Sequence, residues 1–348
     1  MWNAARRCCC NCSSTQRRGS PTNCRRPAAN PSDALVPIPG TCLAGPPEGS
    51  LDWYLSGRSA DSAGSAGHCG CPALQRGGSV AKWDETSVAE ELLACEAERR
   101  DREPFTDEWP ELDVDTGYRI QDANLAKRLA RGEELIGVKL GLTSEAKQKR
   151  MGVYAPFVAW LTDDMVLQPG EPVPQAKLIH PRIEPEIVFV MKDRLEGPGV
   201  TRESAMAAVG TISCGAEVID SRYKNFRFKA GDVIADNASS GAFVVGDKKV
   251  SPDEIDLKAE KVEVYSDGEL VYTGTGEDVQ GHPGEALALA ANDLARRGLA
   301  IEAGWIVLTG GITDAVFAPP GGRTEVRFST LGEITIEGGY PTSDHGAN

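Results

Sequence analysis

Apolar positions fall into two periods along most of this chain, and the change of period marks its architecture. Residues 88–100 set Leu92 and Leu93 among Glu and Arg, which predicts an amphipathic surface helix beginning after Thr86. A second helix is predicted from Asp115, as its cap, to residue 129. Tyr118, Gln121, Leu125 and Leu129 share one face of it, and Gly132 closes it. The intervening 104–113 is a Pro- and acid-rich connector. Beyond residue 134 the texture becomes short strands, at 135–142, 183–191, 209–219, 242–245, 262–265, 270–272, 305–308, 324–328 and 333–337. Ser266-Asp267-Gly268-Glu269 is a hairpin turn signal. Only two internal helices, 202–209 and 284–297, interrupt the strands. Strands that do not alternate with helices argue against a doubly wound parallel sheet. The expectation is an α+β fold with a mixed β-roll core. It forms one domain over 80–340, with a helical part at 86–131, a β-roll at 134–338 and a flexible tail at 341–348.

Residues 1–80 show neither period. They are rich in Gly, Ser, Pro, Ala and Arg, too poor in apolar surface to offset the entropy of ordering. Eight arginines against four acids give this segment +4, so the remainder carries −18 of the chain's net −14. It also holds eight of the ten cysteines. Cys9 and Cys12 fit a C-x2-C zinc pair, but Cys69-Gly70-Cys71 is too tight to be its mate. No apolar export stretch follows Arg6-Arg7, while the Arg- and Ser-rich, acid-poor start fits an organelle transit peptide. A third reading starts from Met151 being the next methionine after Met1. In a bacterial gene a GTG codon at Val80 would supply the start. On that reading 1–79 is a disordered or artefactual upstream extension. Cys95 and Cys214 alone remain, which suits a reducing cytoplasm. The excess of acid lacks the basic footprint of a nucleic-acid binder. No apolar run approaches the roughly 18 residues of a membrane-spanning helix.

The strongest chemical signal is Glu184-Pro185-Glu186 inside the apolar run 183–191. On a strand, positions i and i+2 face one side. Two carboxylates there repel each other, which calls for a cation, a shared proton or a basic partner; the alternative is a solvent-facing pair of surface acids. Pro185 lacks a backbone donor and suggests an edge position or a bulge. Glu217 ends another apolar segment, and three carboxylates with water would make an oxygen-rich site for Mg²⁺ or Mn²⁺. Asp220 is either a turn acid or a partner of Arg222, Lys139 or substrate. Lys139 is a charge in the strand-like Ile136-Gly137-Val138-Lys139-Leu140-Gly141-Leu142, where a cation has either a task or an outward position. Thr143 and Ser144 precede a helix-like 145–150, and Thr309-Gly310-Gly311-Ile312-Thr313 lets backbone N–H groups approach an anion. The loop Asp236-Asn237-Ala238-Ser239-Ser240 supplies either ligand contacts or a turn. Cys214 reads as core.

Six segments taken in order carry a resemblance. They are Gly137-Val138-Lys139-Leu140-Gly141-Leu142-Thr143-Ser144, Ile179-His180-Pro181-Arg182-Ile183-Glu184-Pro185-Glu186-Ile187, Glu217-Val218-Ile219-Asp220-Ser221-Arg222-Tyr223, Ala235-Asp236-Asn237-Ala238-Ser239-Ser240, Gly281-His282-Pro283 and Leu308-Thr309-Gly310-Gly311-Ile312-Thr313. Together they resemble the hydratase/decarboxylase branch of the fumarylacetoacetate hydrolase superfamily, which serves the meta-cleavage degradation of aromatic compounds. The resemblance spans about 88–337. It implies a β-roll, Mg²⁺ or Mn²⁺ on Glu184, Glu186 and Glu217, and Lys139 at the substrate's 2-oxo group with Asp220 as a second catalytic residue. It further implies substrate contacts from Thr143, Ser144, Arg222, Asn237, Ser239, Gly311 and Thr313. His180-Pro181, Ile219 to Tyr223 and Gly310 to Thr313 look like the decarboxylating members. The implied activity is loss of CO2 from the 2-oxo dicarboxylate 2-oxo-3-hexenedioate. Hydration of 2-hydroxypenta-2,4-dienoate is the alternative, and a non-catalytic divalent-ion or dicarboxylate binder the third reading. A homo-oligomer that pairs with the partner hydratase is implied, with no nucleic-acid or membrane partner.

Overall fold

The computed structural model describes residues 82–143, 148–149 and 156–339. The expectations for 1–79 and 341–348, for Ser144 and for most of the 145–150 helix fall outside the described residues.

Two helices lead the described chain. Helix α1 (Glu85–Glu98) begins at Asp84, whose carboxylate accepts from Ser87 N while Ser87 Oγ accepts from Asp84 N. Helix α2 (Val114–Ala130) begins at Asp113, which accepts from Thr116 N at 2.8 Å. Both caps lie earlier than Thr86 and Asp115, the expected ones. A cap needs extended backbone and a side chain that reaches the amide three residues on, and Asp115 already lies within the first turn. Val88, Leu92 and Ile120 are buried with Phe105, Tyr223 and Ala235, so the helical pair is anchored on the segment that follows Asp220.

The strands form two sheets. The larger contains β1 (Leu135–Gly141), β2 (Phe157–Thr162), β3 (Val166–Leu167), β4 (Arg182–Met191), β5 (Val209–Ile219) and β6 (Ser240–Val245). The hairpin β7 (Lys261–Ser266) and β8 (Glu269–Thr275) belongs to the smaller. Next come β9 (Ile306–Leu308) and β10 (Val316–Phe317), then β11 (Arg323–Phe328) and β12 (Gly332–Glu337). The larger sheet runs β2-β1-β9-β4-β5-β6-β3 with β10 also on β4, and the smaller runs β12-β11-β7-β8. Parallel pairs (β1 with β9, β3 with β6) stand among antiparallel ones, so the sheet is mixed. This is the expected α+β class.

Among the described residues, helices α3 (Arg202–Ala207), α4 (Ala230–Ala235) and α5 (Pro283–Arg296) lie between the strands. The face of α5 bearing Ala286, Leu287, Ala290, Ala291 and Leu294 is buried in one cluster with Phe189 and Met191 of β4 and Val264 and Ile334 of the smaller sheet. Both sheets and α5 therefore share a core.

Sequence periodicity misses β2, β3, β10 and α4. Strand β2 is buried at all six positions, so it carries no alternation to read. The other three are no longer than six residues. The expected edge position for Pro185 is also corrected. Strand β4 is central, paired with β5 along its whole length. On the other side β9 covers Val188–Val190 and β10 covers Arg182 and Ile183. Pro185 sits in the gap between them, where its carbonyl accepts from Ile312 N at 3.0 Å, so its missing N–H breaks no ladder.

Candidate active site

Strand register builds the acidic cluster. Glu184 of β4 lies directly opposite Glu217 of β5, and Glu186 shares Glu184's face two residues on. Carboxylate oxygens of the three lie within 4.8 Å of one another. At that separation two charges repel by about 3 kcal/mol with an effective dielectric near 20. Glu186 and Glu217 are fully buried, and Glu184 is half-buried. Burial, and then the Glu217 charge, pushes the Glu186 carboxyl well above the ordinary carboxylate range. Burial raises Glu217 too, opposed by the Lys139 ammonium.

Lys139 enters from β1, which reaches this part of the sheet through its parallel pairing with β9. Its Nζ lies 2.6 Å from Glu217 Oε1 and donates to Ala238 O at 2.9 Å. The side chain is buried, which excludes the outward-facing reading. The loop after β9 closes the cluster. Gly310 N donates to Glu186 Oε2 at 2.7 Å. Gly311 lies so close to Glu184 that a β-carbon there would stand 2.6 Å from Glu184 Oε2. Thr143 packs on the same loop: its Oγ1 would meet a β-carbon on Gly310 at 2.1 Å. Thr143, Gly311, Lys139 and the three glutamates thus converge.

Four other candidates are placed elsewhere. The Arg222 guanidinium is consumed: Nε pairs with Asp236, Nη1 donates to Ser240 O at 2.8 Å and Nη2 to Asp236 O at 2.7 Å. Three of its five N–H donors are engaged and the side chain is buried, so it acts as a buried pillar. Burial pushes the Asp236 carboxyl up to about 6 against the pull of that guanidinium. Asn237 spends its amide on Trp160, accepting from Trp160 N and donating to Trp160 O, each at 2.9 Å. Ser239 turns its hydroxyl towards Asp236. Thr313 donates to Asp314 O and packs its methyl near Gly274 of β8.

Asp220 pairs with neither Arg222 nor Lys139. Its carboxylate accepts from Ile179 N and His180 N and so fixes the segment that leads into β4.

Sequence reasoning missed the Ala238 carbonyl as the partner of Lys139. Asn237, Ala238 and Ser239 all have left-handed backbone (φ 49°, 51° and 58°), a conformation costly for residues with a β-carbon. The Trp160 clamp and the Arg222–Asp236 pair hold that turn. Only the asparagine hints at it, since Asn tolerates the left-handed region.

The cluster suits a hard divalent cation. Glu186 Oε1 and both Glu217 oxygens are buried without an aligned hydrogen bond, and all donors are carboxylate oxygens. A cation would satisfy Glu186 Oε1 and Glu217 Oε2, add to the Lys139 charge already beside Glu217 Oε1, and offset the repulsion among the three carboxylates.

Known proteins carry the same arrangement of chain. The sequence profile described as fumarylacetoacetate (FAA) hydrolase C-terminal matches residues 134–337, from the start of β1 to the end of β12. A 4-oxalocrotonate decarboxylase of Pseudomonas putida is 40% identical over 249 residues, covering 72% of this chain and 94% of that protein. A 2-hydroxypent-2,4-dienoate hydratase of Pseudomonas putida is 41% identical over 214 residues, covering 61% of this chain and 96% of its own. The solved 4-oxalocrotonate decarboxylase from Pseudomonas putida G7, complexed with magnesium and adipate, superposes with a TM-score of 0.71. It is 40% identical, with 73% of this chain and 96% of that one covered. Because the profile spans both sheets and brackets every residue of the acidic cluster, the chain belongs to the fumarylacetoacetate hydrolase family.

Proposed function

We propose that this chain is a divalent-metal-dependent carboxy-lyase that converts 2-oxo-3-hexenedioate (4-oxalocrotonate) to 2-hydroxypenta-2,4-dienoate and CO2. The observation that carries it is the convergence of Glu184, Glu186 and Glu217 with the buried Lys139 on one sheet face. The magnesium and adipate of the Pseudomonas putida G7 structure are the matching ion and a six-carbon dicarboxylate.

Glu184, Glu186 and Glu217 would hold Mg²⁺ or Mn²⁺. When bound, such a cation supplies Lewis-acid polarisation of the 2-oxo group. Lys139, fixed between Glu217 and the Ala238 carbonyl, would place a positive charge and a proton beside that oxygen. Electrons from the breaking C5–C6 bond form C4=C5, the C3=C4 pair moves to C2=C3, and the former carbonyl electrons end on the oxygen. A proton delivered there gives the 2-hydroxydiene. Thr143, Gly310 and Gly311 would line the path and keep the C5–C6 bond aligned with the π system. Asp220 would act by holding residues 179–180 in place. No covalent nucleophile is required, and both described cysteines are buried core residues.

Hydration of 2-hydroxypenta-2,4-dienoate is the second reading, favoured by the 41% identical hydratase. A cytoplasmic homo-oligomer that pairs with the partner hydratase belongs to the same proposal. No described helix is long and apolar enough to cross a membrane.

Incubation with Mg²⁺ and 2-oxo-3-hexenedioate should release CO2, and Glu184→Gln should abolish that release with the fold intact. Water addition to the dienoate without CO2 release would select the hydratase. Undiminished CO2 release by Glu184→Gln with EDTA present would sink the metal assignment.

A further inference from the structure

Arg182 opens β4 on the face that carries Glu184 and Glu186. Its guanidinium carbon lies 4.1 Å from the centre of the Phe226 ring. The His180 ring stands 4.9 Å from the same ring at an interplanar angle of 39°. Among the described residues the Arg182 guanidinium makes no ion pair or hydrogen bond, in contrast to Arg222, whose three nitrogens each donate to a protein oxygen. His180 Nε2 is buried and also lacks a hydrogen-bond partner. An arginine and an imidazole thus pack on one aromatic ring, the guanidinium and His180 Nε2 without a hydrogen-bond partner among the described residues.

The surroundings hold this arrangement firmly. Asp220 fixes the backbone at Ile179 and His180, and β4 pairs Arg182 with Ile219 and Phe317. Phe226 has left-handed backbone (φ 54°) directly after Asn225 (φ 56°). Two successive strained residues with β-carbons persist only where packing over-determines them.

Spacing supplies the ligand. Arg182 and Glu184 are one strand repeat apart, roughly 7 Å at Cα. An extended six-carbon diacid has its terminal carbons about 6 Å apart, from bond lengths near 1.5 Å. A molecule with its 2-oxo acid end at the Glu184–Glu186–Glu217 cluster therefore reaches the Arg182 end of β4 with its other carboxylate. That carboxylate would otherwise meet a face lined with like charge.

We propose that Arg182, stacked on Phe226 beside His180, binds the distal carboxylate of the dicarboxylate substrate and selects it over monocarboxylic 2-oxo acids. This rests on the decarboxylase reading above. The distal carboxylate is the group that leaves: its C5–C6 bonding pair stays with C5, and CO2 departs uncharged. The ion pair is therefore strongest before reaction and weakens in the transition state. Arg182 contributes to binding and not to the chemical step.

The test uses the full chain with Mg²⁺ and compares wild type, Arg182→Gln and Arg182→Lys. Calorimetry measures adipate and hexanoate, which share chain length and differ by one carboxylate. Arg182→Gln should lose roughly tenfold to a hundredfold in adipate affinity, the worth of a charge-assisted hydrogen bond, with hexanoate affinity unchanged. Arg182→Lys should recover part of the loss. In CO2 release, KM should rise by a similar factor while kcat stays level or rises. Equal adipate affinity in Arg182→Gln and wild type overturns the proposal. So does a parallel loss for adipate and hexanoate, or a loss confined to kcat. A wild type that releases no CO2 refutes the functional reading separately, because the adipate–hexanoate comparison needs no turnover.

Discussion

Replacing Gly311 by alanine adds one carbon where the chain has room for none. That carbon would stand 2.6 Å from Glu184 Oε2, 2.9 Å from Cδ and 3.3 Å from Cβ. Favourable carbon contacts begin near 3.5 Å, so the Glu184 carboxylate must retreat by about 0.9 Å. Gly311 is not among the positive-φ glycines, so alanine brings no backbone strain. The obstacle is the far end of a flexible side chain, which can swing away. Folding should therefore survive: the metal-free denaturation midpoint should correspond to a change below about 1 kcal/mol. Metal binding should not survive intact. Mg²⁺ demands near-ideal octahedral geometry with ligands at about 2.1 Å. A displaced ligand of this kind costs roughly tenfold to a hundredfold in affinity, or about 1.4–2.7 kcal/mol. A misplacement near 1 Å costs on the order of a hundredfold in turnover. Isothermal titration with Mg²⁺, CO2 release against metal concentration and a urea melt of the metal-free protein read the three quantities. Wild-type Mg²⁺ affinity in Gly311→Ala would refute the reasoning, as would a metal-free protein several kcal/mol less stable.

Two further outcomes follow from buried and capping groups. Arg222→Met strands the buried Asp236 carboxylate and should destabilise the fold by about 3–5 kcal/mol in urea; Arg222→Met with Asp236→Leu should recover part of that loss. His282 caps α5 by accepting from Gly284 N at 2.9 Å through Nδ1, which requires the neutral ring. Burial, and then the Arg202 charge, lowers its pKa below the ordinary 6.5. With the folded value below the unfolded one, the cap is fully present above about pH 6.5 and is lost as pH falls through the folded value. Wild type should lose about 1 kcal/mol more than His282→Asn on acidification from pH 7 to 5, read from melts at each pH. Parallel curves would exclude the cap.

Period 2 alone put Glu184 and Glu186 on one face, and period 3.6 alone found α1, α2 and α5, because those patterns are local. The buried β2, whose six residues alternate with nothing, was invisible for the same reason. The sequence could name Glu217 and Lys139 as charges out of place in apolar runs. Only register placed Glu217 opposite Glu184, and only the parallel pairing of β1 with β9 brought Lys139 to them. Tertiary structure also divided the remaining polar residues. Arg222 and Asn237 look like ligand residues in sequence and hold a left-handed turn, while Arg182, given no role in sequence, makes no ion pair or hydrogen bond among the described residues. A chain of letters records which side chains can form hydrogen bonds. Whether those bonds are already satisfied depends on partners far away in sequence, 77 positions for Asn237 and Trp160, and that is settled only when the chain folds.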